Sequence, residues 1–376
     1  MAPMQFASRS LLSLFRSPRT LIVLAGALIV AGFAGCSTVG YYAQSIGGHL
    51  SMLRSARPIP EVVADPATPE AVRQRLLRAQ EIRVFASREL GLPENASYTE
   101  YADLRRPYVV WNVFATREFS LDLKQWCYPV VGCAGYRGYF ERDAADRAAA
   151  ALRAEGYEVN VAGVPAYSTL GWLPDPLLNT FIGGSEGQVA SMVFHELAHQ
   201  VVFVGGDTTF NESFATAVER EGVRRWLAAN DDPVLRQSYA EFARRRQAFV
   251  DLLLKYRDRL DALYKSGGTD DAKRAGKRRL FAELRAEYDA LRVAWGGFAG
   301  YDRYFAQELT NAHLASVGAY NALVPAFDAL LDREGGDFPR FYAEVRRLAR
   351  LPREGRDAEL RGLVVTRESP PATGGL

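Results

Sequence analysis

The segment Ser191-Met-Val-Phe-His195-Glu196-Leu-Ala-His199-Gln200 has residue types and spacing suited to metal chemistry. On a helix, His195 and His199 leave the same face, because they are four residues apart, and both imidazoles can bind one ion. Glu196 follows the first imidazole and can reach a coordinated water without chelating the ion. The flanking apolar residues predict the buried helix that such a site needs; they are Val189, Met192, Val193, Leu197, Val201 and Val202.

The third protein ligand is left open by the residues alone. A catalytic metal ion generally keeps three protein ligands, and with only four histidines in the chain the third is His313 or a carboxylate. Glu212 opens a second predicted helix after the turn at Gly205-Gly206, so it would fold back toward the first helix. Glu219 and Glu221 on that helix are competing candidates. Glu219, two turns beyond Glu212, could instead hold a histidine N–H.

The motifs resemble those of known peptidases. His195-Glu-x-x-His199 is similar to the motif of zinc peptidases, and Asn211-Glu212-Ser-Phe-Ala215 resembles the Asn-Glu-x-x-Ala segment of gluzincin metallopeptidases. This resemblance implies one Zn²⁺ ion held by His195, His199 and Glu212. A closer resemblance, over nearly the whole mature chain, is to the bacterial predicted aminopeptidases, which are usually lipoproteins. The segments that carry it are Cys127–Cys133, Tyr167–Leu178, His195–Gln200, Gly206–Thr216 and Asn311–Ala315.

The resemblance implies a zinc-dependent aminopeptidase acting on peptides. Glu196 would take a proton from a zinc-bound water and pass it to the leaving amine. His313, Tyr301 or Tyr320 could donate a hydrogen bond to the oxyanion. Two other functions remain open: a non-catalytic envelope lipoprotein that binds peptides or partners through a zincin-like fold, and a zinc hydrolase of non-peptide amides or esters.

The N-terminus has the pattern of a bacterial lipoprotein signal. Residues 1–35 contain three arginines followed by a short apolar run, which predicts a cleaved signal peptide. Phe33-Ala34-Gly35-Cys36 resembles a lipobox, so we expect acylation of Cys36 and a lipidated tether over residues 36–57. Because Ser37 and not Asp follows, we expect an outer-membrane anchor facing the periplasm.

Cys127 and Cys133 are six residues apart, with Pro129 and Gly132 between them. Such a pair can close a small loop, and an oxidising envelope compartment favours the bond. We therefore expect a disulfide that stiffens a local feature, with two reduced thiols as the alternative.

The remaining pattern predicts an α+β fold that is mainly α-helical. Strands are expected at 107–123, a region that runs into the Cys127–Cys133 loop and the aromatic segment 136–140, and at 157–161. Helices are expected at 69–90 and 143–156. The expected core is zincin-like, with the His-Glu-x-x-His helix followed by the Glu212 helix. Two long charged segments at 234–265 and 271–295 predict a C-terminal helical hairpin with solvated faces. The Trp172 loop, 169–176, could be a cleft wall or an ordinary turn.

We expect one metallopeptidase domain at 58–368 and a disordered tail at 369–376. Within the domain, strands should occupy about 100–165, the zinc core about 166–230 and further helices about 231–350. Forty-six basic and 44 acidic side chains give a net charge of only +2. This near-neutral balance argues against a nucleic-acid partner, which would need a concentrated basic face.

Overall fold

The computed structural model describes residues 40–128 and 132–368. The predicted signal peptide, Cys36 and the predicted tail lie outside the described residues. The chain divides into two compact units, Met1–Ser51 and Met52–Leu376. Helix α1 occupies residues 40–55, so most of the predicted tether is helical. Its Ala, Gln, Leu and Met residues favour a helix in spite of three glycines.

Helices predominate and the sheets are small, which confirms an α+β fold that is mainly α-helical. The first half of the second unit contains three further helices: α2 (Ile59–Ala64), α3 (Glu70–Leu90) and α4 (Arg142–Ala154). Its strands are β1 (Arg57–Pro58), β2 (Glu100–Ala102), β3 (Val110–Thr116), β4 (Trp126–Tyr128), β5 (Gly132–Ala134), β6 (Arg137–Tyr139), β7 (Glu158–Val164) and β8 (Leu177–Leu178).

The second half is helical throughout its regular elements. These are α5 (Asn179–Ile182), α6 (Glu186–Ala198), α7 (Thr208–Ala229), α8 (Pro233–Lys265), α9 (Asp270–Ala294), α10 (Asp302–Phe305), α11 (Asn311–Asn321), α12 (Val324–Arg333), α13 (Phe338–Ala349) and α14 (Arg353–Glu368). The predicted C-terminal hairpin is confirmed as α8 and α9, which pack against each other.

The strands form three small sheets with the orders β1-β2-β8, β6-β3-β7 and β4-β5. In the second sheet β3 pairs antiparallel with β6 and β7. Strands β3 and β7 confirm the strand regions predicted at 107–123 and 157–161. All seven residues of β3 are buried, because α4 and α11 also pack against this sheet. A strand covered in this way has an almost continuous apolar sequence instead of an alternating one.

Helices α6 and α7 lie in the main hydrophobic core, with α3 against both. Gly222 of α7 allows a close approach: a Cβ atom there would lie 2.8 Å from side-chain atoms of Leu90 and Phe194. A separate hydrophobic cluster joins α8 and α9 to residues 305–314. Helices α11 and α12 also pack against α7, so the helix pair α6–α7 is held from both the N-terminal and the C-terminal parts of the unit.

Among the described residues, one helical stretch, Asn311–Arg333, is long and apolar enough to cross a membrane by length and composition. Its mean hydropathy is 1.4, and 44% of the apolar window is buried inside the protein. Core helices of soluble proteins pass the same test, so this stretch is weak evidence for a membrane span.

Candidate active site

Helix α6 places the two histidines of the motif side by side. It begins after Ser185, whose backbone N–H donates to Gln188 Oε1 at 2.9 Å. Helical backbone continues through His199, whose N–H bonds to the carbonyl of His195. The two imidazole centroids are 4.9 Å apart with nearly perpendicular planes. The predicted helix and the shared face of His195 and His199 are both observed.

Helix α7 places the side chain of Glu212 next to the two imidazoles. Asp207 begins the helix, and its side chain accepts a hydrogen bond from Phe210 N. Asn211 fixes the turn, because its side-chain amide forms two 2.8 Å hydrogen bonds with the backbone of Val204. One Glu212 oxygen, Oε2, lies 3.2 Å from His195 Nε2 and 3.7 Å from His199 Nε2.

His195, His199 and Glu212 could hold a metal ion, since one donor atom from each lies within 4.8 Å of the others. Two imidazole nitrogens and one carboxylate oxygen are donors that Zn²⁺ accepts, and three protein ligands leave a position open. All three side chains are largely buried, with at most 14% exposed. The donor set therefore fits a zinc ion.

Glu219 lies behind His195, on the side away from Glu212. Its Oε2 is 3.1 Å from His195 Nδ1, while Oε1 accepts hydrogen bonds from Ser191 Oγ and Arg246 Nη1. Burial opposes ionisation of Glu219, but the charge of Arg246 and the His195 contact lower its pKa to about 2. Glu219 is thus an ionised carboxylate that orients the His195 ring.

The outer nitrogen of the other imidazole has no equivalent contact. Nδ1 of His199 is buried and has no hydrogen-bond partner among the described residues. Metal-ligating histidines usually donate this proton to a carboxylate, a carbonyl or a water. Among the described residues, a side-chain carboxylate therefore orients His195 but not His199.

Charges within the site are strongly coupled. Burial lowers the pKa of His195, but hydrogen bonds with Glu212 and Glu219 outweigh burial and raise it to about 10. Burial acts in the opposite direction on Glu212, whose pKa falls to about 2 through the charge of His199 and the contact with His195. Without a metal ion, protonated imidazole compensates the buried carboxylates.

Glu196 differs from the other two buried glutamates. Its side chain is 6% exposed, and it forms no hydrogen bond or ion pair with another described residue. Burial raises its pKa, although the charges of His195 and His199 act against this effect. A buried carboxylate with no partner and a raised pKa is suited to accepting and releasing a proton.

The three candidate oxyanion donors lie in different surroundings. His313 is buried, its Nδ1 accepts from Thr310 N at 3.1 Å, and burial lowers its pKa to about 4. Tyr301 is stacked on Phe249. For Tyr320, burial and then the charge of Glu212 raise the pKa well above its usual value. Of the three, Tyr320 alone is electrostatically coupled to one of the candidate metal ligands, Glu212, and the catalytic role of His313 stays a prediction.

Glu221, the other carboxylate considered as a ligand, points elsewhere. It forms ion pairs with Arg224 at 2.5 Å and with Arg225 at 2.8 Å. The sequence did not indicate Arg246, because it lies on α8 among many charged residues that were expected to be solvated. No short-range spacing could have paired it with Glu219.

A cavity of about 320 Å³ opens beside Glu212. The Trp172 loop forms one wall, so the cleft-wall alternative for this loop is the one observed. The hairpin β4–β5 forms another wall, and within it Cys127 and Cys133 form the predicted disulfide. Gly132 of this hairpin meets the α6–α7 turn directly: a Cβ atom on it would lie 2.8 Å from Gly206 N.

The chain was compared with curated proteins, solved structures and family models, and only the family models give a match. No curated protein matches the chain, and no solved structure matches it. One family model, described as "putative aminopeptidase", matches residues 40–360. That range includes both helices of the candidate site and most of the described residues, so the chain belongs to this aminopeptidase family.

Proposed function

We propose that the protein is a zinc-dependent metallopeptidase of the gluzincin type that hydrolyses peptide bonds as an aminopeptidase. The observation that carries this proposal is the convergence of His195, His199 and Glu212 within 4.8 Å, with the unpartnered carboxylate of Glu196 on the same helix. A purely structural zinc site closes its fourth position and needs no such carboxylate. Family membership supports a peptidase in general.

In this proposal each side chain of the site has a separate role. A bound zinc ion supplies Lewis acidity, which polarises a carbonyl group and lowers the pKa of water. Glu196 accepts a proton from the attacking water and gives it to the amine that leaves. Glu219 keeps His195 in one orientation through Nδ1, and the ionised Arg246 keeps Glu219 charged. The phenol O–H of Tyr320 donates a hydrogen bond to the oxyanion that forms on the substrate.

Replacing Glu196 with Gln tests the proposal. The variant should retain one zinc per chain, because the ligands are intact, and should lose about 10²–10⁴-fold in turnover, because the base is absent. Metal analysis and a peptide-library assay read by mass spectrometry measure the two effects. Glu221→Gln, on the neighbouring helix but outside the site, is the matched control. If Glu196→Gln turns over substrate at the rate of the control, Glu196 is not the base.

The same proposal includes a membrane anchor. We expect signal cleavage before Cys36, acylation of that cysteine, and an outer-membrane location on the periplasmic side. Cells fed labelled palmitate should label the wild type and leave Cys36→Ser unlabelled, while Cys127 and Cys133 in intact cells should resist alkylation until a reductant is added. Recovery of unlabelled wild-type protein in the cytosol would refute the anchor.

A further inference from the structure

We propose that the cavity beside Glu212 binds one uncharged, apolar side chain of the peptide substrate. The inference rests on the proposed peptidase function and adds the class of residue that it selects. At about 320 Å³, the cavity is at the lower end of the roughly 300–1,000 Å³ usual for ligand pockets. Its size suits a single side chain better than a longer segment.

The charges in the lining support an uncharged occupant. Among the described residues that line the cavity none is Lys or Arg, and the acidic ones are Asp207 and Glu212. Asp207 is already engaged: it accepts from Phe210 N and forms a buried ion pair with Arg356. Glu212 faces the two imidazoles. A charged substrate side chain would therefore lose its hydration without gaining an ion-pair partner.

The rim is apolar and partly exposed to water. Trp172 and Phe203 line the cavity, and their side chains are 77% and 40% exposed. Tyr136 and Leu170 continue the lining from the hairpin side and the loop side. An apolar side chain that covers these groups gains from their removal from water, whereas a charged one does not.

The loop that carries Leu170 is held in an unusual conformation. Leu170 has a φ of +58°, a left-handed value that is unfavourable for a bulky residue without a local cause. The cause here is a set of hydrogen bonds around Thr169: its N–H donates to Asp175 Oδ2 at 3.0 Å, and its hydroxyl donates to Leu173 O at 2.9 Å. Backbone strain of this kind persists where surrounding structure holds it, and is concentrated at ligand sites.

The test uses zinc-loaded wild-type protein and peptides that differ at a single position next to the cleaved bond. With Leu or Phe at the selected position, kcat/KM should exceed that with Ala by about 10–100-fold, and should exceed that with Lys or Glu by at least as much. Peptides are varied on both sides of the bond, so that the position served by the cavity is identified.

Leu170→Asp makes the test independent of overall activity. Asp tolerates a left-handed backbone better than Leu does, and it places a carboxylate in the cavity. The ratio of kcat/KM for the Lys peptide to that for the Leu peptide should rise at least tenfold. Val234→Asp makes the same kind of change at a site outside the cavity that is 76% exposed, and should leave the ratio unchanged.

Failure of this inference differs from failure of the proposed function. Cleavage with kcat/KM values within threefold for all five side chains would overturn the inference and keep the peptidase. If no peptide is cleaved, the proposed function falls, and calorimetric titration of the same peptides into zinc-loaded Glu196→Gln protein decides the inference. Tighter binding of Leu and Phe peptides there would support it, whereas equal or absent binding would overturn it.

Discussion

Replacing Asp175 with Asn should make the stability of the protein less sensitive to pH. The Asp175 side chain is only 3% exposed. Its Oδ2 accepts a hydrogen bond from Thr169 N, and its Oδ1 has no partner among the described residues. Burial is the main cause that raises the pKa of Asp175 from 3.8 to about 7, with a further contribution from the charge of Glu196.

The size of the effect follows from this pKa. Each pKa unit corresponds to about 1.36 kcal/mol, so ionised Asp175 lowers the free energy of unfolding by about 4 kcal/mol. Below pH 3.8 the carboxyl is protonated in both states and costs nothing. Between pH 4 and pH 7 the unfolded chain releases the proton and the folded chain keeps it, so stability falls as the pH rises. Above pH 7 this contribution is constant.

The assay is urea unfolding at pH 5, 6, 7 and 8, with a chelator present so that metal binding does not contribute to stability. The Asp175→Asn variant keeps an oxygen for Thr169 N but carries no charge. The free energy of unfolding of the variant minus that of the wild type should increase by about 3 kcal/mol between pH 5 and pH 8. The control is Asp103→Asn, because Asp103 is exposed and also accepts from a backbone N–H, that of Arg105. If the difference in free energy of unfolding from the wild type changes with pH as little for Asp175→Asn as for the control, the reasoning is refuted.

Two further predictions concern the site. Glu219→Gln should lower zinc affinity about 10–100-fold, because the amide orients His195 less strongly than the carboxylate does; a change under threefold in a chelator competition titration would contradict this role. Tyr320→Phe should lower kcat by about 10²–10³-fold with little change in zinc content, while Tyr301→Phe, which alters a ring stacked on Phe249, should stay near the wild-type rate. Equal steady-state losses in both tyrosine variants would exclude Tyr320 as the specific donor.

The sequence predicted the parts of the site that depend on neighbours along the chain. The histidines share a helix, and Glu212 is only 13 residues beyond His199, across one short turn. Helix periodicity and a turn are enough to bring these side chains together. The same holds for the α8–α9 hairpin.

What the sequence did not reveal depends on distant contacts. Arg246 reaches Glu219 from a helix that looks uniformly charged and solvated, and only the packing of α8 shows which charge turns inward. Asp175 stands between two prolines in the Trp172 loop, yet the chain around Tyr98 buries it: Tyr98 N donates to the Asp175 carbonyl at 2.6 Å. Neither contact has a signature in local spacing, because each joins segments more than 25 residues apart.

The contact between Gly132 and Gly206 determines which walls of the cavity could be altered by protein engineering. Both residues have positive φ angles, +74° and +84°, and a side chain on Gly132 would collide with backbone, which cannot rotate aside as a side chain can. Libraries aimed at new substrate preferences should therefore leave these two positions unchanged. Leu170 and Trp172 are the positions to randomise, because they line the cavity from a loop that lies outside the turn between α6 and α7.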